Sequence, residues 1–166
     1  MPAQRLVSAG PTKRPRSWRA WSFVLLLLIL LWARAACATL GHSETEIGQD
    51  KKALKLEKSE SGSGHGYKFV RLSSADFSVK EYVNPRTGLI FGVSWTGNRP
   101  PNLLFLLGFD PATLNGPGVH RSLRFDNIET STLILQFGGA GGSYGGRAVR
   151  KDLLPPGVPA SEVATP

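Results

Sequence analysis

Hydrophobic positions follow three different spacings along this chain. Between Arg19 and Arg34 they crowd into a stretch of uncharged residues centred on Ser22-Phe-Val-Leu-Leu-Leu-Leu-Ile-Leu-Leu31. From Leu40 to Glu60 they thin to a weak helical stripe of Ile47, Ala53, Leu54 and Leu56. From Tyr67 onward they alternate with a period of two, the signature of strands with one buried face. The alternating segments are Tyr67–Ser73, Phe77–Asn84, Leu89–Thr96, two strands within Leu123–Phe137 that break near Asn127 or at Glu129-Thr-Ser131, and Ser143–Lys151. Asn84-Pro-Arg-Thr-Gly88 is a turn that joins the second and third into a hairpin. One face of that hairpin is expected to carry Phe77, Val79 and Val83 opposite Leu89, Phe91, Val93 and Trp95, the best-specified core in the chain.

Helix signals frame the sheet. Ser43-Glu-Thr-Glu46 reads as a capping box that opens an N-terminal helix, and lysines at 51, 52, 55 and 58 favour its C-terminal half. Pro100-Pro-Asn-Leu-Leu-Phe-Leu-Leu-Gly108 reads as a short helix with Pro101 in its first turn and Gly108 as its C-cap. The expected architecture is α+β, an antiparallel sheet of about five strands packed by one N-terminal helix and one short internal helix. The division along the chain is an export segment over 1–38, a helical region over 39–60, a Gly/Ser linker over 61–66, a β-rich core over 67–158 and a disordered tail over 159–166.

That stretch holds 14 uncharged residues, short of the roughly 20 that span a bilayer. With its basic flank it has the make-up of a secretory signal. Two A-x-A frames follow it, Ala33-Arg-Ala35 and Ala36-Cys-Ala38, and cleavage is expected after Ala38, leaving Thr39 first. The single cysteine, Cys37, offers an alternative as a lipid attachment site, against which Arg34 stands where an apolar residue is expected. Without Cys37 the mature chain has no thiol and no disulfide.

Charge changes meaning once located. The formal net charge of +8 invites a nucleic-acid partner, but Arg5, Lys13, Arg14, Arg16, Arg19 and Arg34 supply +6 of it inside residues 1–38, where no acid occurs. The remainder is nearly neutral. No nucleic-acid partner is expected, and the membrane is met only through the export segment or a lipidated Cys37.

Candidate chemistry is sparse. Gly141-Gly-Ser-Tyr-Gly145 matches the letters of a nucleophile elbow, but no histidine follows His120 and the flanks read as a glycine-rich hairpin. No phosphate-binding glycine pattern closes properly. His42, Glu44 and Glu46 have metal-capable donors at a spacing that suits a strand and splays around a helix, so the acids are expected to serve the cap. No cofactor, metal ligand or catalytic residue is expected. One residue has an unusual address. Glu81 alternates onto the core side between Val79 and Val83, opposite Phe91. Either it is buried, with a raised pKa and Arg147 or Arg99 as partner, or a bulge or edge register lets it reach water, the plainer expectation. Tyr82 would then join Tyr144 and Arg147 on a solvent-facing surface fit for contacts.

Several blocks together resemble a known family. They are Ala38-Thr-Leu-Gly41, Glu81-Tyr-Val-Asn-Pro-Arg-Thr-Gly88, Phe91-Gly-Val-Ser-Trp95 with Gly97, Pro101-Asn-Leu-Leu-Phe-Leu-Leu-Gly108, and Arg147-Ala-Val followed by Leu153-Leu-Pro-Pro-Gly-Val158. The chain resembles the exported proteobacterial proteins grouped as domain of unknown function 2844. His42 departs from that pattern, as does the glycine-rich stretch 138–146. The resemblance implies export and supplies no activity. The function expected is therefore a non-enzymatic binding or envelope-interaction module in the periplasm or outside the cell. Its contacts would be made by the sheet face left uncovered by helix or by an open edge strand. The alternatives are an enzyme using a buried Glu81–Arg pair and a lipid-anchored envelope protein.

Overall fold

The computed structural model describes residues 39–164 apart from residue 123. These residues form one antiparallel sheet of eight strands. The strands are β1 (Lys58–Gly64), β2 (Tyr67–Ser73), β3 (Phe77–Val83), β4 (Ile90–Gly97), β5 (Val119–His120), β6 (Phe125–Glu129), β7 (Leu133–Ala140) and β8 (Ser143–Arg150). Their spatial order is β1-β2-β3-β4-β8-β7-β6-β5. Two four-stranded meanders thus meet where β4 pairs with β8, Val93 opposite Ala148 and Ser94 opposite Arg147. The helices are α1 (Ile47–Ala53), entered through a 3-10 turn at Glu44–Glu46, and α2 (Leu103–Leu107).

The sheet is larger than the five strands expected, and the protein is mostly β rather than balanced α+β. Strand β5 has only two residues, too short to leave a period. Strand β1 occupies what reads as the end of the N-terminal helix and the flexible linker. That helix stops at Ala53 because Lys55 takes a left-handed conformation (φ 55°). The Leu56 amide then reaches back to the Lys51 carbonyl and the Lys55 amide to that of Lys52, while Leu56 buries its side chain, the hydrogen-bond pattern of a Schellman terminus. The glycines that follow are seats for rings. A Cβ at Gly62 would lie 2.4 Å from the Phe69 ring, and one at Gly64 2.2 Å from that of Tyr67. Aromatic side chains of β2 cover these gaps and keep a weakly strand-forming segment on the sheet edge.

The hairpin of β3 and β4 forms where its alternation places it, with a shifted register. A bulge at Tyr82/Val83 sets Val83 opposite Ile90 and Glu81 opposite Val93. Ile90 takes the core place expected of Leu89, and Phe91 turns to the opposite face. The end of α2 at Gly108 is as expected, but its start is later: Pro101 precedes the helix instead of sitting in its first turn. Asn102 caps it by accepting from the Phe105 amide at 3.1 Å, one residue after the prolines, and Gly108 ends it in the left-handed region.

Both faces of the sheet are covered. On one, Leu72, Val79, Val93, Trp95, Ile128, Leu135 and Ala148 pack against Leu40, Ile47, Leu106 and Leu107 from the N-terminal segment and the two helices. On the other, Tyr67, Tyr82, Phe91 and Val149 pack against Val158 and Val163. The expected disordered tail therefore contributes a buried strap at its start. Val163 is fully buried, and the Tyr82 hydroxyl donates to the Ala164 carbonyl (3.1 Å). Each large apolar side chain sequestered this way is worth roughly 1.5–3 kcal/mol, enough to hold a strap with little regular structure of its own.

Candidate functional site

Under α1 the first core closes over acids. Register alone places Glu81 there, because its β2 and β4 neighbours are Val70 and Val93 and the bulge begins one residue too late to release it. It is 0% exposed, and neither carboxylate oxygen has a hydrogen-bond partner. Asp50 comes from the inner face of α1, one turn after Ile47, and is 2% exposed with Oδ2 unpartnered. Burial pushes the Glu81 carboxyl up to about 9, and the charge of Asp50 adds to the rise. Burial likewise pushes Asp50 up to about 6. There the Thr39 hydroxyl and His42 pull it back, while Glu46 raises it. Thr39 is itself 0% exposed.

His42 and Glu46, both partly exposed, lie within electrostatic reach of Asp50. His42 Nδ1 lies 2.5 Å from Glu46 Oε2, so the capping-box acid turns to the imidazole rather than to the helix start. Ser43 Oγ accepts from the Thr45 amide at 3.4 Å. Among the described residues no group of three His, Cys, Asp or Glu side chains is arranged to hold a metal ion.

The arginines expected beside Glu81 are elsewhere. Arg147 alternates onto the opposite face, where Nε donates to Gln136 Oε1 (2.8 Å) and Nη1 to the Val163 carbonyl (3.0 Å). Arg99 is exposed and lines a surface pocket with Lys55 and Phe77. The Glu81–Arg pair is therefore not formed, and the expectation that Glu81 reaches water also fails. Asp50 escaped notice in the sequence, although its place on the apolar stripe three residues after Ile47 was a legible signal.

The expected contact surface of Tyr82, Tyr144 and Arg147 is also divided. Tyr82 is buried beneath the C-terminal strap and Arg147 ties that strap down. Tyr144 lies on the other face, where it lines a cleft of about 260 Å³ with Trp95, Pro101, Phe125 and Phe137. Among the described residues, the large apolar side chains that stand exposed lie at this cleft and the pocket beside it. Phe125 is 51% exposed, and Leu104, on the adjoining pocket, 59%. Gly141 and Gly142 turn the hairpin between β7 and β8 and Ser143 opens β8, so Gly141–Gly145 is a turn leading into a strand and not a strand-to-helix elbow. Of the expected cleavage residues, Ala36 and Ala38 lie outside the described residues, as does Cys37. Thr39 lies inside them.

No curated protein and no solved structure matches the chain. Residues 36–163 match the family described as Protein of unknown function (DUF2844), a span covering most of the sequence, and the chain belongs to that family.

Proposed function

We propose that this protein is exported, loses residues 1–38 by cleavage after Ala38, and works as a non-enzymatic binding module. The observation that carries the binding reading is the cleft beside α2. Trp95, Pro101, Phe125, Phe137 and Tyr144 make it predominantly apolar, and Phe125 stands half in water at its rim. Together with exposed Leu104 on the adjoining pocket it makes a continuous apolar surface of the kind that marks a contact site. The Arg121–Asp126 ion pair (3.0 Å) borders the adjoining pocket and supplies a polar rim. The occupant that suits such a site is an apolar group presented by another exported or envelope protein. The acids do not serve catalysis in this reading, because both are enclosed where no substrate reaches.

A photo-crosslinking residue placed at Phe125 tests this in the native cell envelope, with the same residue at exposed Lys55 as control. A discrete adduct from position 125 alone supports the cleft. Equal labelling from both positions, or none from either, refutes it. Mass spectrometry of the exported protein tests the processing step. A start at Thr39 supports it, whereas an acylated Cys37 replaces it with lipid anchoring.

A further inference from the structure

We infer that the α-amino group created at Thr39 by export is the cation for which the Asp50–Glu81 pocket is built, so that removal of the leader completes the core. The inference rests on the proposed cleavage after Ala38. Thr39 is wholly buried, with its hydroxyl beside Asp50. Its place is held by the residues that follow. The Leu40 amide donates to the Leu106 carbonyl (3.2 Å), the Gly41 amide to that of Ile90 (2.8 Å), and the Ile90 amide to that of His42 (2.8 Å). These bonds lock the segment across β4 and α2, and leave Thr39 no freedom to swing into solvent.

Among the described residues the basic group facing these acids is His42, and it is already engaged by Glu46. None of the ion pairs among the described residues involves Asp50 or Glu81. The charged or titratable groups facing it are His42 and Glu46 from the entry segment, Asp50 from α1 and Glu81 from β3, while β2 and β4 present Val70 and Val93. Buried carboxyls without donors are costly, and folded proteins pair them. An ammonium group brings one positive charge and three N–H donors. The charges then balance: one carboxyl ionised against the ammonium, the other keeping its proton. A chain still carrying residues before Thr39 has an amide nitrogen there, with one N–H and no charge.

The test uses the exported protein and a version with one alanine inserted between Ala38 and Thr39, so that the same cut leaves an extra residue. Intact mass establishes each start, and a start other than Thr39 in the natural protein overturns both the cleavage and this inference. With the Thr39 start verified, reductive methylation reads the amine. The Thr39 amine is expected to react at least about tenfold more slowly in the folded protein than in urea, as a buried, ion-paired amine must open first. The alanine-extended protein is expected to react at its free rate and to melt about 5 °C lower or more. Glu81→Gln and Asp50→Asn should shrink that melting gap. If the Thr39 amine reacts as fast folded as unfolded, or the two proteins melt together, the inference fails while the cleavage stands.

Discussion

Glu81→Gln offers the sharpest test of the buried acid. The substitution keeps the shape of the side chain and removes its ability to ionise. In the folded protein the carboxyl holds its proton up to about pH 9, against an ordinary value of 4.5 in the unfolded chain. Between those limits the native state binds one proton more than the unfolded state, so stability falls as pH rises, by about 1.4 kcal/mol per unit. From about pH 5.5 to about pH 8 the loss is on the order of 3 kcal/mol, a large part of the 5–15 kcal/mol typical of a folded domain. Asp50 contributes a similar slope that ends near pH 6, but both proteins share it and it cancels in their difference. The glutamine leaves its own N–H donors without partners, at roughly 1–3 kcal/mol. The two stability curves should therefore cross, natural protein above variant in acid and below it at about pH 8. Urea titrations of a protein beginning at Thr39, in which Trp95 is the only tryptophan, measure this by fluorescence. Parallel curves across this range would refute the buried, protonated carboxyl.

The strap and the cleft make further predictions. A Cβ at Gly92 would fall 2.5 Å from a Val163 methyl, so Gly92→Ala is expected to cost about 1–3 kcal/mol by overpacking. Val163→Ala alone should cost a similar amount by leaving a cavity, and the double variant should be more stable than the sum of the two losses, read by a double-mutant cycle in urea. Tyr82→Phe removes the bond to the Ala164 carbonyl and is expected to cost about 1 kcal/mol, with faster amide exchange in the strap. Phe125→Ala, at a half-exposed position, should change thermal stability by less than about 0.5 kcal/mol while abolishing the proposed envelope adduct.

Local order was legible wherever neighbouring residues cooperate. The β3–β4 hairpin, the Gly108 terminus of α2 and the return of β8 all declare themselves through alternation, turn chemistry or a cap within a few positions. Glu81 announced itself too, as an acid at an apolar position. What surrounds Glu81 did not. Its neighbour Asp50 is 31 residues away in sequence, and its expected partner Arg147 differs from Ala148 only in parity. A one-residue change of register decides which face receives an arginine, and nothing within β8 states that register. The bulge at Tyr82/Val83 had the same effect on Phe91 and Ile90.

By itself, then, the sequence determined the β-rich character of residues 67–151, the caps and turns that bound its elements, and the separation of a basic, apolar N-terminal segment from a nearly neutral remainder. Periodicity and turn geometry are properties of a few adjacent residues, and a single chain displays them. The tertiary structure alone decided that β4 joins β8 to fuse two meanders, that Gly62 and Gly64 form an edge strand under two rings, and that the C-terminal strap covers Tyr82. It also buried Thr39, Asp50 and Glu81, with Asp50 beside Thr39 on one side and within electrostatic reach of Glu81 on the other. Those outcomes depend on which distant surfaces exclude water from one another, a choice made by the whole folded chain and by no segment of it.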